Sequence, residues 1–410
     1  MLSMFKPKLI LMFPFLLACG SASAGDVSTH ARNVVDAIRR LREIGMPNAE
    51  HPEAGPPAQV PGLLKKLNSE LRAVIIESLN DKTRHTPVSQ DEIFDQLRAA
   101  GWEEIPSQKW NAYGEIRDIN FEWQVDYDPG MLVVSTQLWV PCGSDDPDSA
   151  IYVFRGIKRA WELVLATDAD FDWTGWKKQS GMEHALSPPD ATGKWFLVVG
   201  SVPPLCRRAE PVIRYRALRP SGDPDKPIVL VEGRVAADPE YEPPFRVEAH
   251  EDWFAVTVGR TRKIDDTPGV GIFRYDVSGK EARRIPPLAL TAEDFLEQWS
   301  QSDWAEAKQW SRESGGLFEW HEKLRGVTPG SAEIEAVRRC TGTDDGDQAF
   351  SIQLDVDQRP NPRFGPETVY IEVGKRNGIF SVDGVRRSGP SECAEQISMK
   401  SVTERTLPWW

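Results

Sequence analysis

Residues 111–140 read NAYGEIRDINFEWQVDYDPGMLVVSTQLWV, and this stretch decides the fold class. Asn111 to Asp126 and Met131 to Val140 have the composition of two extended strands. Asp128-Pro129-Gly130 between them signals a turn, because proline fixes one dihedral and glycine tolerates positive φ. Ile151 to Phe154 and Trp161 to Leu165 repeat the pattern around Arg155–Ala160, which makes four consecutive strands.

The rhythm resumes downstream. Trp195–Val202, Val212–Leu218, Pro227–Val235, Phe245–Glu248, Trp253–Gly259 and Val270–Val277 are strand-like, with aromatic and β-branched residues alternating in several of them. Ser278-Gly279-Lys280 turns into Ala282–Ile285. Short strands joined by Gly- and Pro-rich turns predict an antiparallel β body, propeller-like or a sandwich. No repeated blade motif fixes a blade count.

Helical spacing governs both flanks of this body. Val34, Val35, Ile38, Leu41 and Ile44 share a stripe, as do Leu64, Leu67, Leu71, Val74 and Ile75. Residues 48–62, rich in Pro, Ala and Glu, read as a linker. Ser89 and Glu92 read as a capping box for a third helix ending at Gly101. After Pro286-Pro287, Thr291 reads as an N-cap with Asp294 three residues on, and helix continues over 292–312 with a break near Ser300. Its Phe295, Leu296, Trp299, Trp304 and Trp310 are expected in a core, not as an exposed stripe. Leu317–Leu324 adds a short helix. Strands at Ile334–Arg339, Ala349–Val356, Thr368–Val373 and Ile379–Val382, with Asn377-Gly378 as a tight hairpin turn, predict a small C-terminal α/β or β-rich domain. The implied organisation is a leader over 1–24, a helical region over 25–109, the β body over 110–290, a Trp-rich helical segment over 291–325 and a disulfide-clipped domain over 326–410.

The leader carries the address. Lys6 and Lys8 precede an apolar run from Leu9 to Ala18, too short for a membrane span, which takes about 20 residues. A basic start, a short apolar core and small residues at its exit are the marks of a removed export signal. Ala22-Ser23-Ala24 offers cleavage ahead of Gly25. Leu16-Leu17-Ala18-Cys19 looks like the lipobox of bacterial lipoproteins, with Leu17 unusual at its position, and offers Cys19 for lipid anchoring. The expected location is the periplasm or the extracellular space. The four later cysteines suit an oxidising compartment. They allow three pairings, of which Cys142–Cys206 and Cys340–Cys393 is the simplest.

Composition narrows the function. Acidic residues outnumber basic ones 62 to 49, for a net charge of −13, and no basic face is evident, so a nucleic-acid partner is not expected. The 15 tryptophans are scattered, as core residues are. No nucleophile elbow, phosphate loop, dinucleotide turn or H-E-x-x-H is present; Gly269-Val270-Gly271 precedes a strand and does not open a helix. Glu248, His250 and Asp252 would share one face if extended, placing carboxylates beside an imidazole as a weak binding candidate. Glu183-His184 offers less.

Asp168, Asp170 and Asp172 alternate, and such oxygen ligands could hold a structural calcium ion. Trp173 and Gln179 stand where an EF-hand loop needs Gly and Glu, so an ordinary acidic loop is the simpler reading. No other cofactor is expected. The sequence therefore predicts an exported envelope protein that binds a protein or glycan, or serves structurally, without catalysis. The alternative is a secreted hydrolase acting on glycans or cell wall through paired carboxylates.

Overall fold

The computed structural model describes residues 27–397 apart from 45–56, 83–86, 103–112, 125, 128–129, 140–146, 168–179, 203–211, 239–244, 280, 287, 313–315, 327–331, 341–346, 357–366 and 394. The expected leader over 1–24 with Cys19, together with Cys142, Cys206 and the Asp168–Asp172 cluster, lies outside the described residues. No described helix is long and apolar enough to cross a membrane.

Three helices come first: α1 (Thr29–Ile44), α2 (Val60–Leu79) and α3 (Gln90–Ala99). The helical stripes read in the sequence are buried in α1 and α2. Ser89 is the N-cap of α3, but its side chain makes no capping hydrogen bond, so the predicted capping box is only half realised.

Four antiparallel strands follow as a meander, β1 (Ile116–Gln124), β2 (Met131–Trp139), β3 (Pro147–Ile157) and β4 (Ala160–Ala166). The second hairpin is tighter than the sequence suggested. Lys158 takes a positive φ of 57°, so Arg155–Ile157 and Ala160 remain in strand. A second meander comprises β5 (Ser180–Leu186), β6 (Leu197–Val202), β7 (Val212–Arg219) and β8 (Ile228–Ala236), and a third β9 (Phe245–Ala249), β10 (Trp253–Thr261), β11 (Pro268–Asp276) and β12 (Arg283–Arg284). Strand β5 escaped the sequence reading, because Gly181, His184 and Ala185 give it neither β-branched enrichment nor clean alternation.

Alternation along β2 explains the stacking. Leu132, Val134 and Leu138 join a core with α1–α3. Met131 and Val133, on the opposite face, pack with Trp195, Leu197, Val199 and Leu218 of the second meander. The first sheet is thus covered on both faces, which is why Met131–Val134 are buried without a break. Phe196, Val198, Ile213 and Tyr215 then meet Phe245, Phe254, Val256 and Val258 of the third sheet. Each fully buried Val, Leu or Phe contributes about 1.5–3 kcal/mol. Face-to-face stacking of successive four-stranded meanders is a propeller-like arrangement. Close approach between sheets is bought with glycine: a Cβ on Gly200 would lie 2.2 Å from Phe245 Cε2.

The third sheet then meets α4 (Ala292–Gln301), followed by α5 (Trp304–Ala307) and α6 (Leu317–Arg325). Thr291 Oγ1 accepts from Asp294 N at 3.1 Å, the cap read from sequence. The helix breaks at Ser302, close to the predicted Ser300. Gly269 and Gly271 prove to be approach points for this helix. Side chains there would meet Asp294 Oδ1 at 2.4 Å and Gln298 Nε2 at 2.5 Å.

Around this contact a buried charge network forms. Arg262 pairs with Asp265 at 3.0 Å and Asp294 at 3.2 Å, and Glu297 accepts from Lys263 N and Ile264 N. Such a network is costly to break, since either partner alone would be a buried unpaired charge.

On its apolar side α4 shares a core with the C-terminal sheet. Phe295, Leu296, Trp299 and Trp310 pack there with Ile352, Leu354, Ile371 and Val382. The tryptophans at 299 and 310 are core residues, as expected. The sheet holds β13 (Ala332–Cys340), β14 (Gln348–Val356), β15 (Glu367–Arg376), β16 (Ile379–Arg386) and β17 (Glu395–Ile397), in the order β16-β15-β14-β13-β17. Asn377 and Gly378 both take positive φ in the β15–β16 turn, as their sequence predicts. Cys340 and Cys393 are disulfide-bonded.

Candidate functional site

The inner face of the first sheet changes character along its strands. At one end it is Met131, Val133 and Val153, sealed against the second sheet. At the other it is Asp118, Asn120, Ser135, Gln137 and Ser149. The register builds these into rows. Asp118 pairs with Gln137, which pairs with Ser149; Asn120 pairs with Ser135, which pairs with Ile151. Cross-strand partners share a face, so two polar rows stand side by side. Where packing stops being apolar, the first and second sheets part and leave a cleft of about 310 Å3.

Strand β5 supplies the opposite wall. A bulge lies between Ser180 and Glu183, and beside it Met182, Glu183 and His184 all line the cleft. Bulges commonly re-aim side chains next to sites. His184 Nε2 is 3.3 Å from Glu122 Oε1, and Asn120 Nδ2 donates to the same oxygen at 3.0 Å.

The electrostatics divide the carboxylates. The neighbouring His184 imidazole holds Glu122 below the usual carboxylate range, with Asn120 adding to it. Burial pushes Glu183 up, against a partial pull from His184 and Arg246. Ser149 is 3% exposed, and its Oγ has no hydrogen-bond partner. Among the described residues the lining contains three carboxylates, one imidazole, two amides and two hydroxyls, and no lysine, arginine, phenylalanine, tyrosine or tryptophan. It is a wall of hydrogen-bond acceptors.

The residues singled out from sequence lie elsewhere. Strand β9 ends at Ala249, so His250–Asp252 form the hairpin connection and not an extended run. His250 stacks on Trp253 with ring centroids 3.8 Å apart, and Arg274 covers the other face of the indole at 3.6 Å. Glu248 Oε2 is 4.0 Å from His250 Nε2, with both side chains largely in solvent. Asp252 contributes its carbonyl to Val277 N. No cluster of three metal-ligating side chains occurs among the described residues.

Glu183-His184, passed over in the sequence, is central to the cleft. The signal that could have found the rest is the polar alternation Asp118, Asn120, Glu122 within β1.

No family model matches the chain, and no curated protein matches it. Among solved structures, an α-L-arabinanase of Penicillium chrysogenum complexed with arabinobiose is similar over 69% of this chain and 71% of its own, with 9% identity and a TM-score of 0.27. An α-L-arabinofuranosidase of Fusarium graminearum with arabinobiose is similar over 65% and 66%, with 6% identity and a TM-score of 0.26. A structure described as a glycoside hydrolase is similar over 78% and 86%, with 9% identity and a TM-score of 0.26.

Proposed function

We propose that the chain is an exported envelope protein that binds a small, hydroxyl-rich ligand of glycan type in the cleft between β1–β3 and β5. The carrying observation is the acceptor-rich wall, whose described residues include no phenyl, phenol or indole ring. Carboxylates, amide oxygens and hydroxyls suit a ligand that presents many O–H donors, and charge-assisted bonds to carboxylates are the strong ones. The cleft volume sits at the small end of the range for ligand sites, about 300–1,000 Å3. This favours a sugar unit or two over a long polymer laid on a stacking platform. Calorimetry against neutral mono- and disaccharides tests the reading. Saturable binding that Gln137→Leu abolishes supports it, and no binding to any saccharide at millimolar concentration rejects it. Export is tested separately by mass spectrometry of the processed chain, where Gly25 as first residue favours the soluble product and a lipidated Cys19 the anchored one.

A second reading rests on the split between Glu183 and Glu122. One carboxyl held up by burial and another held down by a neighbouring imidazole is the division of labour used by an acid and a partner carboxylate in glycoside cleavage. Turnover of chromogenic glycosides, lost in both Glu122→Gln and Glu183→Gln, would establish it; absence of turnover across a panel with binding intact would leave the binding protein.

A further inference from the structure

We propose that the ligand carries a protonated amine, as a free 2-amino sugar does, held by the combined field of the three carboxylates that line the cleft, Asp118, Glu122 and Glu183. This rests on reading the cleft as a saccharide site. Three carboxylates line it, and among the described lining residues His184 is the one basic side chain. His184 is already engaged with Glu122 at 3.3 Å. Arg246 acts on Glu183 electrostatically from β9 but is not among the described lining residues. Three carboxylates thus share one imidazole in the described lining, with Arg246 offsetting only Glu183 from outside it.

A neutral sugar would donate hydroxyls to these carboxylates and leave their charge uncompensated. An ammonium supplies three donors and a positive charge together, and its hydrogen bonds to carboxylate are roughly twice as strong as neutral ones. The partly desolvated wall increases the difference, because screening by water is weaker there.

A second, independent feature points into the same space. Ser149 ends the Asp118–Gln137–Ser149 row, is 3% exposed, and leaves its Oγ unpartnered. Buried hydroxyls ordinarily find a partner. A ligand hydroxyl next to its amine would provide one, which a simple ammonium ion would not. N-acetylation would remove the charge and add bulk to a cleft of about 310 Å3.

The test is calorimetry of the full processed protein with three matched disaccharides: cellobiose, the corresponding disaccharide of 2-amino-2-deoxyglucose, and its N-acetylated form. Methylammonium chloride serves as the non-sugar probe. The expected result is binding of the free-amine disaccharide at least ~10-fold tighter than cellobiose or the acetylated form, with the preference shrinking as salt is raised. Glu183→Gln should bring the preference down to ~3-fold or less while thermal melting shows the variant folded. Equal affinity for all three sugars overturns the amine preference and leaves the saccharide site standing. No binding by any of them overturns both. Methylammonium binding as tightly as the amino disaccharide overturns the saccharide site and this inference with it. Because the comparison among ligands is made on the unaltered protein, it stands even if Glu183→Gln fails to fold.

Discussion

His184 Nε2 lies 3.3 Å from Glu122 Oε1, so one imidazole–carboxylate contact joins the edge strand of the second sheet to the edge strand of the first. The contact crosses the mouth of the cleft and depresses the Glu122 carboxyl. Replacing His184 with Asn should let Glu122 titrate closer to the ordinary carboxylate range. NMR titration of the side-chain carboxyl carbon would read the shift. An unchanged Glu122 titration would mean that Asn120 alone sets it.

Glu183 makes the opposite case. Burial raises it above its ordinary value of 4.5, so folding favours its protonated form. Its contribution to stability is present below the unfolded value and is lost as pH rises through the folded one. Glu183→Gln should therefore raise Tm at pH 7 and give little or no gain near pH 4. A gain in stability on removing a site carboxylate is the usual trade between function and fold. A lower Tm at pH 7 would show that the carboxylate is paired in the fold after all.

Gly271 is expected to be intolerant of any side chain. A Cβ would stand 2.5 Å from Gln298 Nε2, 3.1 Å from Phe273 Cε2 and 3.3 Å from Arg260 Nε. Gly271→Ala should cost about 1–3 kcal/mol, the ordinary range for overpacking, read as a lower denaturation midpoint. Gly193 has open space around its missing Cβ but a φ of +77°, so Gly193→Ala should cost less, through backbone strain alone. Equal midpoints for Gly271→Ala and the parent would mean that α4 can slide away from β11 freely.

The helical region should show its own pH window. His30 Nδ1 lies 2.6 Å from Glu70 Oε2 and Nε2 lies 3.8 Å from Glu77, tying α1 to α2. The hydrogen bond His30 donates to Glu70 raises His30 above 6.5. Burial pushes Glu70 up, but His30 and Asn33 outweigh it and hold it below 4.5. The stabilisation from the histidine is full below pH 6.5 and fades as pH rises through its folded value. That from the glutamate is full above pH 4.5 and fades as pH falls through its folded value. Both operate together between those limits. His30 is 42% exposed, so the pair is worth no more than about 0.2–1 kcal/mol. His30→Ala should thus be more destabilising at pH 5.5 than at pH 8.5, by chemical denaturation; equal losses at both would place its effect in packing.

Much of the architecture is legible in the chain itself, because it is local. The turn at Asn377-Gly378 needs positive φ at two successive residues, and that residue pair announces it. Thr291 caps α4 because a hydroxyl at that position can reach a free backbone N–H three residues on. Ile119, Phe121 and Trp123 against Asp118, Asn120 and Glu122 sort themselves to two faces simply because a strand has period two. Ser89 marks the limit of this kind of reading, since the cap position is right and its side-chain bond is not made.

The cleft belongs to the other category. Alternation tells which face of β1 is polar, but not that β5 will stand opposite it, and β5 itself is invisible without its bulge and its neighbours. Glu183 and His184 are an unremarkable pair of letters until sheet packing sets one against Glu122 and buries the other. Likewise the sequence excludes Gly269-Val270-Gly271 as a dinucleotide turn but gives its glycines no role, and only the approach of α4 shows that they make room for Asp294 and Gln298. Sequence alone determined where most strands, helices and turns form, β5 excepted, since each residue's backbone preference and facing direction are largely fixed within a few neighbours. The tertiary structure decided which polar faces remain open, because that depends on how closely distant sheets can pack before their apolar surfaces run out.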